Sequence, residues 1–238
     1  VNNGPKLIKL KINIPYKLTI ELINSIQNRP LSSVYNEFID YYQDFDRYII
    51  LDDDTQLNEN YISRFETEDY YDLELPKIMN SSKEIYYPLK KWKVIGDEEN
   101  FLINGREDIF SIGSGIIMSK KLVNSFLDKK KKVFNENFVF YGVDFSLFFE
   151  INKTDFPVLI ITSYTQLLHD MSLHGEVSKD KKYQLYLNYA IQMRHYPSFL
   201  TLKTFLYSIY CLLRDKDVRK CYCFFKVFLV GKHPKSES

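Results

Sequence analysis

Three short polar clusters interrupt an otherwise apolar and aromatic chain, and each has residue types that could do chemistry. Asp52-Asp53-Asp54 follows directly on the apolar run Arg47-Tyr48-Ile49-Ile50-Leu51. Adjacent carboxylates at the end of a buried strand repel one another and lose hydration, so a cation should compensate them. Mg²⁺ or Mn²⁺ would do so, using one or two carboxylates together with substrate phosphate oxygens. The alternative is an acidic turn after a strand. Asp144 is the single carboxylate in the middle of the aromatic stretch FNENFVFYGVDFSLFFEI, Phe134 to Ile151. Apolar surroundings push a carboxyl pKa upward, which suits a general base. Asp144 could equally cap the helix that carries Phe148 and Ile151, and the two roles are compatible. His169 and His174 lie close together after a third apolar run, and a neutral imidazole there could complete a metal site or donate to a diphosphate. A surface or structural histidine is the competing reading. Gly113-Ser114-Gly115 would let a ligand approach the backbone closely.

These residues need a scaffold that gathers them. Ile8, Leu10, Ile12 and Ile14 alternate with polar residues, so Leu7 to Ile14 reads as a half-buried strand ended by Pro15, and Thr19 to Ile26 as a second. Ser32 or Ser33 should cap a helix running to about Tyr42. Arg47 to Leu51 reads as a central parallel strand, buried on both faces. Asn58 should cap a further helix, Ile116 to Met118 reads as a strand leading into a Ser119-capped helix, and Val158 to Thr162 as another buried strand. Alternating strands and helices predict an α/β domain with a mostly parallel sheet, whose ligands bind beyond the carboxyl ends of the strands. Lys129 to Lys132 reads as a solvated helix end.

Composition sets the outer limits. The 238 residues carry 32 basic and 31 acidic side chains, enough chain for one large domain with an appendage and too little net charge for a dedicated nucleic-acid binder. Apolar residues at 45% exclude intrinsic disorder. The three cysteines (Cys211, Cys221, Cys223) form no CxxC pair, which argues against a disulfide framework and for a cytoplasmic setting. The first residues, Val1-Asn2-Asn3-Gly4-Pro5, do not resemble a signal peptide and include no initiating Met, so a fragment is expected.

Taken in order, the clusters resemble a known family. Asn28-Arg29-Pro30-Leu31-Ser32 with Asn36, LDDDT at Leu51 to Thr55, GSG at 113 to 115, YGVD at 141 to 144 and HxxS at His169 to Ser172 resemble a family 2 glycosyltransferase with the GT-A fold, of the bacterial surface-polysaccharide type. The similarity spans about residues 1 to 180, with 181 to 238 as a helical extension. The resemblance implies inverting transfer of a sugar from a nucleotide-sugar donor to a saccharide or lipid-linked saccharide. It implies that Asp52, Asp53, Asn28, Arg29 and Asn36 serve the donor, that Asp54 with Asp52 and His169 serves the metal, that Asp144 is the base, and that Gly113, Ser114 and Gly115 lie near the acceptor. Two departures accompany it: Val143 stands where the family usually has an acidic residue, and the family's first strand and helix are missing before Asn2.

Two alternatives to this function are a metal-dependent nucleotidyltransferase, for which no Gly-rich phosphate loop is visible, and a non-catalytic remnant or assembly subunit. From Phe199 onward the charge balance is +5, against −4 for the preceding residues. The apolar run Phe199 to Leu213 is shorter than the roughly 20 residues that span a bilayer. This tail suits a basic, aromatic helix pair at the inner face of an anionic membrane, and it equally suits helices packed on the domain or on a second subunit.

Overall fold

The computed structural model describes residues 1–9, 19–66, 71–96, 102–104, 108–153, 157–169 and 177–236. In chain order the elements are α1 (Leu31–Tyr41), β1 (Arg47–Ile50), β2 (Thr55–Gln56), α2 (Glu59–Ser63), β3 (Leu73–Met79), β4 (Ile85–Tyr87), β5 (Leu89–Lys90), β6 (Lys93–Val94), β7 (Leu102–Asn104), β8 (Ile109–Phe110), β9 (Ile116–Ser119), α3 (Lys120–Leu127), α4 (Val143–Lys153), β10 (Leu159–His169), α5 (Lys179–His195), α6 (Phe199–Arg214) and α7 (Val218–Val230). The fold is mixed α/β.

The main sheet runs β1-β9-β3-β10-β2, with β4 beside β3 and β7 beside β10. It is mixed, and the expectation of a mostly parallel sheet is corrected: among the described strands only β3 and β10 pair in parallel, while β1 pairs antiparallel with β9. The correction has a local cause. β1 is not buried on both faces; Tyr48 and Ile50 are buried while Arg47 and Ile49 are half-buried, the alternation of a strand with one covered face. The two long strands change partners along their length. β3 pairs with β9 at Leu73–Glu74 and with β4 at Ile78–Met79; β10 pairs with β7 near Leu159 and with β2 at Leu168–His169. The sheet therefore curls, and its far end holds the aspartate turn. A small antiparallel sheet, β6-β5-β8, completes the strands described.

The helix signals held where they were local. Asn58 caps α2 and Ser119 caps α3, each side chain accepting a backbone N–H in the first turn. α1 covers the expected span, yet neither Ser32 nor Ser33 caps it. Pro30 precedes its first turn, and the Ser32 hydroxyl instead donates to the Phe138 carbonyl at 2.5 Å. Lys129 to Lys131 are exposed, and Lys131 and Lys132 pair with Glu150 and Asp40. The N-terminal strands are a second correction. Residues 7–9 form no strand, the rest of Leu7 to Ile14 lies outside the described residues, and Thr19 to Ile26 contributes only an isolated parallel bridge between Asn24 and Asn2. Two backbone bonds make that bridge, the Asn2 N–H donating to the Ile23 carbonyl and the Ser25 N–H to the Asn2 carbonyl, each at 2.8 Å, and Asn2 Nδ2 adds a bond to Asn24 Oδ1 at 2.7 Å.

One apolar cluster joins the sheet to the C-terminal helices. It includes Leu73, Ile116, Phe134, Phe148 and Ile160 together with Leu187, Ile191, Phe205, Leu212, Phe224 and Val227. No helix among the described residues is long and apolar enough to cross a membrane.

Candidate active site

The aspartates sit where β1 stops. The Ile50 carbonyl accepts the Gly115 N–H at 2.7 Å, and the Asp52 N–H donates to Ser114 Oγ at 3.2 Å, so the 113–115 loop clasps the end of the strand. Gly115 is required there: its φ is +83°, and a Cβ would stand 2.6 Å from Leu167 and from Pro76. The chain then turns through Asp53 and Asp54 into β2, whose antiparallel pairing sets Thr55 opposite His169. This register brings the imidazole to the carboxylates. His169 Nδ1 lies 3.0 Å from Asp54 Oδ1 and 3.1 Å from Thr55 Oγ1, and its Nε2 lies 4.0 Å from Asp52 Oδ2. With Nδ1–H donated to Asp54, the Nε2 lone pair is left for a ligand, the usual way a carboxylate orients a metal-binding histidine. The donor atoms of Asp52, Asp54 and His169 all lie within 4.8 Å of one another, and the group could hold a metal ion. Burial raises the Asp52 pKa, His169 opposes that rise, and the Asp54 and Asp53 charges add to it.

Asp144 faces the same cavity from α4. The helix begins at Val143, so Asp144 is a first-turn residue and not the N-cap. Gly142 allows the sharp entry with φ +76°, where a Cβ would run into Asn188. The Asp144 carboxylate accepts the Gly113 N–H at 3.0 Å and the Phe145 N–H at 2.9 Å. Burial nevertheless dominates and lifts its pKa to about 6, against those two hydrogen bonds and with a contribution from the Asp52 charge.

A cavity of about 640 Å³ reaches Asp144, Asp52 and His169, while Asp54 is exposed outside its lining. Asp52, Asp144, His169 and Gly113 line one side, and aromatic side chains dominate the rest: Tyr35, Tyr87, Trp92, Phe145 and Tyr189. Asn188 and Gln192 of α5 and Thr201 and Thr204 of α6 supply neutral polar groups, and no Lys or Arg lines it among the described residues. Burial, with the nearby carboxylates, raises the pKa of Tyr35, and burial followed by Asp144 raises that of Tyr87 to about 12, so both hydroxyls stay protonated beside the acids. Trp92 is the least expected member. Lys91 and Trp92 form the two-residue turn of the β5–β6 hairpin with φ of +49° and +65°, a conformation that favours glycine or asparagine. The Trp92 ring stacks on Phe110 with centroids 4.4 Å apart, which holds it at the cavity rim.

Not every residue singled out in the sequence reaches this cavity. Asp53 is exposed and lies outside the Asp52–Asp54–His169 group. Ser114 and Gly115 are buried behind the aspartate turn, and of that loop only Gly113 lines the cavity. Arg29 is held by Glu37 in a two-pronged ion pair, with Nη1 2.9 Å from Oε2, and its backbone is tied to Asn3. Asn36 is buried and pins the 134–138 segment to α1, donating to the Phe134 carbonyl and accepting the Phe134 N–H. Asn28, Arg29 and Asn36 are all outside the cavity lining. Ser172 and His174 lie outside the described residues. Tyr35, Tyr87, Trp92 and the α5 residues carried no sequence signal beyond their aromatic or polar type. Comparisons with family models, curated proteins and solved structures returned no match.

Proposed function

We propose that this chain is an inverting glycosyltransferase with a GT-A-like domain, moving a sugar from a nucleotide-sugar donor to a saccharide or lipid-linked saccharide acceptor. One observation carries the reading: the cavity lined by Asp144, a carboxylate of base-like pKa, is also lined by Asp52 and His169, two members of a group that with the exposed Asp54 could hold a metal ion. Asp144, ionised above about pH 6, takes the proton of the acceptor hydroxyl as that oxygen attacks the anomeric carbon. The bond from that carbon to the diphosphate oxygen breaks on the opposite face, which inverts the centre. Asp52, Asp54 and His169 would hold Mg²⁺ or Mn²⁺, whose chemistry when bound would be positive charge to offset that on the departing diphosphate. The imidazole favours Mn²⁺, since Mg²⁺ takes oxygen ligands almost exclusively.

The wall of the cavity supports a neutral acceptor. Aromatic faces and uncharged amide and hydroxyl groups suit a polyhydroxylated ring, whereas a nucleotidyltransferase pocket needs cations for a triphosphate and this lining has none among the described residues. The experiment is a panel of nucleotide sugars incubated with the chain and Mn²⁺, read as release of nucleoside diphosphate. One donor should turn over, and Asp144→Asn should keep Mn²⁺-dependent nucleotide binding while release falls about 100-fold or more. Nucleotide affinity unchanged by EDTA, with no donor turned over, overturns the reading.

A further inference from the structure

We infer that the outward faces of α6 and α7 form a docking surface for an anionic lipid bilayer. A helix packed on a globular core ordinarily turns a polar face to water. α6 does not: it buries Phe205 and Leu212 along with Thr201, Ser208 and Cys211, yet Phe199, Leu202, Leu206, Tyr207, Tyr210 and Leu213 are exposed at helical spacing on the other side. α7 repeats the pattern, burying Phe224 and Val227 and exposing Val218, Tyr222, Phe225, Leu229 and Val230. The exposed apolar side chains are interleaved with Lys203, Arg214, Arg219 and Lys226, also exposed, and neither helix contains an acid. Asp215 and Asp217 lie in the turn between them, 3.6 Å from Arg214 and 3.7 Å from Lys220.

Charge selects the occupant. A second copy bound across a two-fold axis would set these cations against their own images with no acid on either helix to pair them. A layer of anionic headgroups is complementary, with the aliphatic and aromatic side chains at the acyl boundary and the Lys and Arg heads among the phosphates. The helices lie in the interface plane, since none is long and apolar enough to cross. This inference requires no activity of the neighbouring cavity.

The test is co-sedimentation of the full chain with phosphatidylcholine vesicles with and without phosphatidylglycerol. Binding should need the anionic lipid and weaken as salt rises from about 0.05 to 0.5 M, as screening shortens. Leu206→Glu combined with Phe225→Glu should leave the chain folded, because both side chains are exposed, and should cut binding at least about tenfold. Lys203→Gln and Lys226→Gln should each weaken binding about fivefold. Equal partitioning onto neutral and anionic vesicles, vesicle binding untouched by the Glu pair, or a solution dimer that the Glu pair dissolves would each overturn the assignment.

Discussion

The pKa of Asp144 makes a stability prediction that can be measured without knowing the substrate. An ordinary aspartate has a pKa of 3.8, and burial lifts this one to about 6. Between those values the folded state holds a proton that the unfolded chain has released, so the contribution of this group to stability is fully present below pH 4 and is lost as pH rises through about 6. At about 1.4 kcal/mol per pKa unit the full difference is about 3 kcal/mol, and about 1–3 kcal/mol after allowing for the edge of the carboxylate open to the cavity. The raw stability curve hides it. Burial lowers the His233 pKa to about 4, so that group loses stability as pH falls from 6.5, over much of the same range and with the opposite sign. The difference between the wild-type chain and Asp144→Asn cancels His233. The amide can accept only one of the Gly113 and Phe145 N–H groups, which adds an offset that does not vary with pH. The assay is urea unfolding of both chains across pH 4.5–7.5 in EDTA, with the midpoints converted to free energies. The wild-type advantage should shrink by about 1–2 kcal/mol from the acid to the neutral end, the remainder of the difference lying below pH 4.5. A difference that is flat, or that grows with pH, refutes the argument that burial outweighs the two backbone hydrogen bonds.

Four further outcomes follow from the same geometry. Mn²⁺ should raise the thermal midpoint of the wild-type chain, by the equivalent of about 2.7 kcal/mol at a hundredfold excess over Kd, and should leave Asp54→Ala and His169→Ala unmoved in a melting assay. Gly115→Ala should cost about 2–4 kcal/mol in denaturant unfolding, because its Cβ would meet Leu167 and Pro76 in a left-handed backbone. Trp92→Ala should raise the acceptor KM about five- to tenfold with little change in kcat, matching a loss of stacking worth about 1 kcal/mol. Phe224→Ala should lower stability by about 3–5 kcal/mol while its neighbour Phe225→Ala lowers it by about 1 kcal/mol, since one ring is fully buried and the other, 43% exposed, meets it only edge-on.

The parts of this fold that were legible in the sequence are the ones set by neighbours in the chain. Asn58 and Ser119 announce α2 and α3 because a cap is a contact over three residues. The aspartates after Ile50 and the lone Asp144 stood out because ionised groups beside apolar runs need an explanation, and the cavity supplies a common one. Strand direction was not legible. An Ile-rich run suits a parallel or an antiparallel partner, and β1 found its partner in β9, nearly seventy residues later in the chain. Side-chain partners were not legible either. The resemblance assigns Arg29 and Asn36 to the donor, while their contacts with Glu37 and the Phe134 backbone are tertiary and leave no trace in the local sequence. Trp92 gave no turn signal at all, because a Lys-Trp pair sits where Asn-Gly would be expected, held by stacking on Phe110.

The C-terminal helices show why composition alone could not choose between core and membrane. Both readings described real faces of the same helices: Phe205, Leu212, Phe224 and Val227 are in the central cluster, while Leu206, Tyr210, Phe225 and Leu229 are exposed. A chain that satisfies both demands must be apolar all round, and periodicity then carries no contrast to read. Removing residues 199–238 would therefore test nothing cleanly. It would strip the core of four buried side chains and open the cavity wall at Leu200, Thr201 and Thr204 together with any membrane contact. Charge introduced at Leu206 and Phe225 alone separates the two, because the inner face and the cavity stay intact while only the outer face changes.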